Sequence, residues 1–363
     1  MIIFVHLLND RSGSPRVLKN VIQSVSGIDK KTKLFIGSRG KGVLSELSVA
    51  FKAYPYRRFT NRYITLFSYI YSQCALFFIL FLSRESRQAS LIYINTVLPF
   101  GAALFAKICK ITVIYHVHEI SVTPKLLELF LKSVIRNTAS KVLYVSEIHA
   151  KLFPLNGVEY EVLYNGYDEN LLGENCYSYQ PWREGKFRIL MLCSLREYKG
   201  ISQFLELAKK FSSVSNLHFD LVLNDEIENV IKYKNENILN NLTIHLPTNT
   251  PQIYYQRASL LLNLSLPNLF IETFGLTLVE AMAFGVPVIA PPIGGPSEIV
   301  RDGIEGYLVD SRNMNDLVNK INKLINNPGL CNSMSQAAYE RAKEFSPNKF
   351  SKRLNKILLD SMN

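Results

Sequence analysis

The chain of 363 residues, 48% hydrophobic and 20% charged, exceeds the usual size of one domain and has ample apolar material for two cores. Its five cysteines, Cys74, Cys109, Cys176, Cys193 and Cys331, are scattered without a CxxC pair, which argues against a disulfide framework or a zinc site and for a reducing compartment. The net charge of +11 sits mostly in the first half, where residues 1–180 hold 21 Lys and Arg against 12 Asp and Glu, while 181–363 hold 20 against 18. That half is expected to face something acidic; with no nucleic-acid module present, an anionic membrane or a phosphate-linked acceptor fits better than nucleic acid.

Met1–Leu8 is apolar but lacks a basic leader and a cleavage pattern, so no signal peptide is expected and residues 2–8 read as the first strand. Ser14 is placed as an N-cap, with Pro15 at the first helical position of a helix through Val17–Ile22. Strand, glycine loop and helix would let backbone approach a phosphate at Gly13, although an ordinary capped turn reads the same way. Lys33–Gly37 is a second strand. Arg57, Arg58, Phe59 and Arg62 precede Ile64–Ser83, an uncharged stretch of about 20 residues, the length of a membrane span. Strand Leu91–Ile94 must return to the same sheet, which argues against a span. A buried or acceptor-lining helix and an interfacial membrane helix stay open, and the flanking arginines suit the latter.

Asn95 follows that strand, where the C-terminal edge of a parallel sheet places ligand loops. Helix Ala102–Lys110 and strand Ile111–Tyr115 lead to His116-Val117-His118-Glu119. Histidines two apart share one side of an extended segment, but the three or four ligands of a metal site are missing and no metal is expected. A hydrogen-bonded strand-end histidine would look the same. Strand Lys141–Glu147 runs into a capped helix, and Glu161–Asp168, with Asn165-Gly166, closes the first domain. Residues 170–186 are polar and breaker-rich, a linker by composition.

The second domain opens with strand Phe187–Cys193, then Ser194-Leu195-Arg196-Glu197-Tyr198-Lys199-Gly200 and helix Ile201–Phe211. Strands Phe219–Leu223 and Leu242–Pro247 and helix Gln252–Ala258 precede the most informative stretch. Leu260–Ser265 reads as a buried parallel strand and Val286–Ala290 as the next. Between them Thr277 starts a helix that Gly285 ends, giving a βαβ unit. Thr277-Leu278-Val279-Glu280 fits a capping box, which alone would explain both polar residues. The loop Phe274-Gly275-Leu276 also leads into a helix N-terminus, whose unpaired amides favour an anion, and Gly275 admits a ligand close to the backbone. Glu272 and Glu280 beside an anion site suit hydroxyl groups, and phosphate next to many hydroxyls describes a nucleotide sugar. From Leu317 the chain is helical in period, and Pro347 restarts a final helix, Asn348–Ser361.

The run Glu272-Thr273-Phe274-Gly275-Leu276-Thr277-Leu278-Val279-Glu280 continues through Gly294-Gly295-Pro296-Ser297-Glu298 and Asp302-Gly303-Ile304-Glu305-Gly306. It resembles the donor-site motif of retaining glycosyltransferases of family four. The resemblance implies an α/β GT-B fold: two Rossmann-like domains with parallel sheets facing a central cleft. Residues 1–175 would be the acceptor-binding domain and 181–346 the donor-binding domain, with the C-terminal helix, 347–363, packing back on the first. It implies transfer of a hexosyl group, with retention, from a nucleotide diphosphate sugar to a hydroxyl of a glycan or lipid-linked saccharide. A UDP-sugar is favoured, and neither a metal nor another cofactor is implied.

By the same resemblance Glu272 and His118 face the transferred sugar and Glu280 the ribose. Phe274, Gly275, Leu276 and Thr277 line the donor turn. Lys199 holds the diphosphate, with Gly13 and Arg16 in the N-terminal loop. Asn165 belongs to an interdomain Asn-Gly-x-Asp turn, Leu246 lies where related proteins touch the base, and Asn95 and Glu119 lie on the acceptor side. Ser194 stands where the family carries an arginine, leaving Arg196 as the substitute cation. A cytoplasmic protein, peripheral on the membrane in polysaccharide or surface-glycan synthesis, is the expected setting. A GT-B epimerase or phosphorylase, or a catalytically silent partner-binding subunit, stays open, the last on the strength of Ser194.

Overall fold

The computed structural model describes residues 1–25, 31–37, 42–168, 170–172 and 179–362; Cys176 and the linker residues Gly173, Asn175 and Ser178 lie outside them. The chain divides into two compact units, Met1–Asn165 with Asn348–Asn363, and Gly166–Pro347. The break falls at Asn165–Gly166, ahead of the expected 175. The residues that follow are already tied to the second unit: the Tyr167 amide donates to the Phe345 carbonyl at 3.3 Å.

The first unit is built on β1 (Ile2–His6), β2 (Thr32–Ile36), β3 (Phe51–Ala53), β4 (Leu91–Asn95), β5 (Thr112–Val117), β6 (Lys141–Tyr144) and β7 (Tyr160–Val162). They form one parallel sheet in the order β3-β2-β1-β4-β5-β6-β7. Successive side chains leave a strand on opposite faces, and here both faces are covered. Ile3, Val5, Ile92, Ile94 and Val113 pack under the helices Arg62–Leu82, Phe100–Cys109 and Lys125–Thr138. Ile2, Phe4, Leu91 and Tyr93 pack under the helices Gly13–Val25 and Pro347–Met362. Double coverage is why these strands read as unbroken apolar runs. The last helix buries Phe350, Leu354, Ile357 and Leu358, one stripe at helical spacing, in the first unit's core.

The second unit carries β8 (Phe187–Cys193), β9 (Leu217–Leu223), β10 (Leu242–His245), β11 (Leu260–Leu262), β12 (Val288–Ala290) and β13 (Gly306–Leu308). They form a parallel sheet in the order β10-β9-β8-β11-β12-β13. In both sheets the order reverses beside the first strand of the unit, the switch point that opens a ligand crevice at strand C-termini.

Three expectations change. The helix after β1 starts at Gly13, so Ser14 and Pro15 lie inside its first turn; Asp10 tightens the loop ahead of it by accepting from the Ser12 amide at 2.8 Å. Strand β5 runs on to Val117, which puts His116 within the sheet. The helix expected to start at Thr277 spans Leu276–Ala283 and is capped by Gly275 in the left-handed region, φ 111°. Thr277 is therefore a helical residue and no capping box with Glu280 forms. The loop's path demands a positive φ, which glycine supplies without strain. Gly285, φ 72°, ends the helix as expected.

Candidate functional site

In the second unit the loop after β11 is held from below. The Gly295 amide donates to the Glu272 carbonyl at 2.8 Å. A Cβ on Gly294 would lie 2.3 Å from that same carbonyl oxygen, and one on Gly295 2.4 Å from the Phe274 Cα. The paired glycines are thus the floor on which Glu272–Phe274 rests. Phe274 is buried, its ring 5.8 Å from that of Phe345. Gly275 then turns the chain, and its carbonyl accepts from Leu278 and Val279 at 3.0 and 3.4 Å. This geometry leaves the Leu276 and Thr277 amides ahead of the helical ladder, where they can meet an anion.

Beside this turn, Lys199 Nζ lies 2.7 Å from Glu272 Oε2. Ser265 Oγ donates to the same oxygen at 3.3 Å. The ammonium also sits 4.6 Å from the centre of the Phe270 ring. Burial works against the charge on Lys199, but Glu272 outweighs it and the ammonium titrates above its ordinary value. Lys199 therefore stays cationic at neutral pH. It is delivered by a single 3₁₀ turn, Glu197–Lys199, ended by Gly200 at φ 78°. A Cβ on Gly200 would stand 2.0 Å from the Leu264 carbonyl, so the lysine turn rests directly on the chain leaving β11. Cys193, at the end of β8, is pushed up to about 12 by burial and is a neutral thiol rather than a nucleophile.

Glu280 is only 1% exposed, and its Oε2 accepts from the Tyr255 hydroxyl at 2.6 Å. A buried carboxylate needs such a donor. Tyr255, unassigned from the sequence, is its partner from the helix before β11, and no local pattern marks the pairing. Arg196 is exposed, makes no ion pair among the described residues, and lies three positions before Lys199. Ser194 is half-buried; its carbonyl accepts from the Arg196 amide at 2.8 Å. Leu246 is exposed just past β10.

In the first unit the predicted residues meet at the C-terminal edge of β1, β4 and β5. Asn95, fully buried, joins them. Its Nδ2 donates to the Ser14 carbonyl at 3.1 Å and lies 3.2 Å from His6 Nδ1, while its Oδ1 is 3.0 Å from His118 Nε2. The Ser14 carbonyl can only accept, which fixes the amide's orientation; His118 Nε2 must then carry a proton and Nδ1 is the acceptor. Burial, reinforced by His116, His149 and His6 nearby, holds His118 well below its ordinary titration range, so the imidazole is neutral at pH 7. The His116 ring lies 4.5 Å from that of His118, and its Nδ1 is 2.7 Å from the Tyr93 hydroxyl.

Asn95 thus ties its neighbours together from inside the sheet edge. Glu119 Oε2 accepts from the Val97 and His118 amides, each at 3.2 Å, and so clamps the turn after β4, where Thr96 adopts φ 76°, to the end of β5. Burial raises its carboxyl above the ordinary range. Gly13 and the half-buried Arg16 share the helix start that Asn95 touches through Ser14. Asn165 is buried at the end of this unit with Oδ1 unpartnered. His6, missed in the sequence, ends β1 as Asn95 ends β4, a shared strand-end position that could have flagged it. Among the described residues no three His, Cys, Asp or Glu side chains converge as a metal site.

Residues 179–341 match the family model described as Glycosyl transferases group 1. An uncharacterized glycosyltransferase of Methanocaldococcus jannaschii is 32% identical over 189 residues, 51% of this chain and 49% of that protein. The chain spans about half or less of the length of the curated relatives it matches. Among solved structures, Anabaena HepE in complex with UDP aligns with a TM-score of 0.80 at 19% identity over 99% of both chains. The lipopolysaccharide outer core galactosyltransferase WaaB aligns with a TM-score of 0.70 at 15% identity over 99% of both. Each unit's parallel sheet and helices therefore fit a GT-B architecture, and residues 179–341 are similar to the glycosyl transferases group 1 family.

Proposed function

We propose that this protein is a retaining glycosyltransferase that moves a hexosyl group from a UDP-sugar to a hydroxyl of a glycan or lipid-linked saccharide. One observation carries the reading: a cationic lysine paired with a carboxylate, Lys199 with Glu272, stands beside amides left ahead of a helix by a left-handed glycine. The amides and Lys199 suit a diphosphate and Glu272 suits sugar hydroxyls. The family match and the solved HepE complexes with UDP and UDP-glucose support that assignment.

In the proposed reaction the bond from the anomeric carbon to the β-phosphate oxygen breaks, and a bond from the acceptor oxygen to the same carbon forms on the same face. The acceptor's proton leaves with the diphosphate. Lys199, Arg196 and the Leu276 and Thr277 amides stabilise the charge that grows on the leaving group, so no divalent metal and no protein nucleophile is assigned. His118, neutral and held by Asn95, offers hydrogen bonds to the sugar. Glu272 is half-open and meets the sugar by exchanging part of its contact with Lys199. Glu280 reaches the ribose only after a side-chain shift, since Tyr255 now covers it. The setting we assign is the cytoplasmic face of a membrane, in the assembly of a polysaccharide or surface glycan.

The test is release of nucleoside diphosphate from UDP- and GDP-sugars by purified protein, with and without EDTA. UDP release that survives EDTA, and that falls at least about tenfold on Lys199→Met through loss of one charged contact, is expected. Intact donors despite measurable binding would favour a silent binding subunit; abolition by EDTA would overturn the metal-free assignment.

A further inference from the structure

The Arg62–Leu82 helix is apolar on its outer face as well as on much of its inner one. Its sheet side buries Tyr69, Leu76 and Leu80 together with two polar residues, Ser72 and Gln73, both fully buried. These are satisfied internally: Gln73 Oε1 accepts from the Gly101 amide at 3.2 Å, and its Nε2 donates to Ser72 Oγ at 3.0 Å. The outer side exposes Ile64, Phe67, Tyr71, Cys74, Phe78 and Leu82. Their three- and four-residue spacing makes one stripe along the whole helix. Phe67 is 73% exposed and Phe78 58%. A helix face in water normally carries charges, and none lies between Tyr63 and Ser83. The other helices on this side of the sheet add exposed Ile108, Leu126 and Leu129.

Charge at the two ends selects the occupant. Arg57, Arg58 and Arg62 precede the stripe and Arg84 and Arg87 follow it, all exposed; residues 47–84 contain no Asp or Glu, and Glu85 between the last two arginines is paired with Lys31 and Lys33. Arg57 stacks over Phe59 at 5.3 Å and Arg62 over Tyr63 at 4.9 Å, pairing a cation with an aromatic ring as membrane interfaces favour. A second copy would set arginines against arginines in either direction, a like-charge penalty that an anionic lipid surface turns into attraction. The helix cannot cross a bilayer: its inner face is buried, and β3 and β4 on either side of it in the chain lie in one sheet.

We propose that this stripe lies flat in the interfacial layer of a bilayer containing anionic lipids, with the arginines at phosphate level. The inference names the surface partner on the acceptor side of the proposed transferase, and its test needs no turnover. The full chain is sedimented with vesicles of phosphatidylcholine alone or with about 25% phosphatidylglycerol. Binding to the mixed vesicles, weakened by salt, is expected. Phe67→Glu combined with Phe78→Glu should lower vesicle affinity by at least about tenfold with the melting temperature unchanged, since both sites are exposed. Arg57→Gln, Arg58→Gln and Arg62→Gln together should remove most of the salt dependence. In a Phe67→Trp chain, fluorescence arising from the new indole should shift to the blue on vesicle binding and be quenched by brominated acyl chains.

Vesicle binding unchanged in the glutamate variant overturns the proposal. So does a native chain that stays in the supernatant, or a native dimer that the variant dissociates while vesicle binding is unaltered. UDP release, read on the same samples, separates this outcome from failure of the transferase reading: lost turnover with intact vesicle binding strikes only the latter.

Discussion

Asn95 is the residue whose chemistry reaches furthest. Its amide is the only link by which Ser14, His6 and His118 are all joined among the described residues, and it decides which nitrogen of His118 carries the proton. Replacing it with Asp removes the donor to Ser14 while keeping an acceptor for His118. The Ser14 carbonyl then faces a carboxylate, and the buried charge must be protonated or leave. Replacing it with Leu removes both partners and frees the His118 ring. Asn95→Leu is expected to lower kcat of sugar transfer by about tenfold to a hundredfold, with a much smaller change in donor KM, because positioning of a hydrogen-bonding ring acts chiefly in the transition state. Nitrogen-15 shifts of the His118 ring supply the readout that a purely structural role would not move. The native protein should show Nε2–H, and Asn95→Leu a mixture of tautomers. A native ring protonated on Nδ1 contradicts the assignment.

At the scale of the element, the turn between β11 and the Leu276–Ala283 helix depends on one backbone conformation. Gly275→Ala forces a side chain into φ 111°, with its Cβ 2.9 Å from Leu278 Cδ1, at an expected cost of about 1–2 kcal/mol. Gly303, φ 78° with nothing within 4 Å of a built Cβ, supplies the control. Both alanine variants should lose comparable stability in urea melts, but only Gly275→Ala should weaken binding of UDP, by about fivefold or more, as the Leu276 and Thr277 amides move. Equal affinity in the two variants would separate the helix start from the anion site. The same turn shows where sequence reading reaches its limit. The strands were legible because runs such as Leu260–Leu262 and Leu91–Ile94 are buried on both faces. The stop at Gly285 and the restart at Pro347 were legible from local backbone chemistry. Thr277 was misplaced because the cap pattern is local, whereas the left-handed Gly275 follows from a loop resting on Gly294 and Gly295. The central role of Asn95 was hidden for the same reason: its partners lie 81, 89 and 23 positions away. The exposed apolar stripe of the Arg62–Leu82 helix needed the fold to show that Ser72 and Gln73 face inward.

Across the whole molecule, titratable groups are distributed unevenly between the two units, and this sets how each responds to acid. In the first unit, burial lowers His6 to about 4, with a bond to the Asn95 carbonyl opposing, and lowers His116 to about 3; His118 is depressed as well. Each binds a proton in the unfolded chain near 6.5 but not in the folded one until the lower value. Between those limits the unfolded state holds more protons, so stability falls as pH falls. Glu119 works the other way, because its raised carboxyl holds a proton in the folded state above its ordinary range. Three depressed histidines oppose this one carboxyl. In the second unit only His218 is depressed among the described histidines, by burial against the pull of Asp220; Asp220 itself is lowered and contributes at more acid pH. From pH 6.5 to 5 the depressed histidines outweigh Glu119, so the first unit loses stability as the medium acidifies. Native-state hydrogen exchange at pH 7 and at pH 5, corrected for the intrinsic rate, should therefore show amides of β1, β4 and β5 losing more protection free energy than those of β8 and β9. Replacing His116 with Leu lowers overall stability by stranding the Tyr93 hydroxyl, but it should also flatten the pH slope of the first unit by about one proton. The slope reports protons rather than contacts, so a steeper decline in the second unit, or an unchanged slope in the His116→Leu chain, would show that the buried histidines are not what couples this fold to pH.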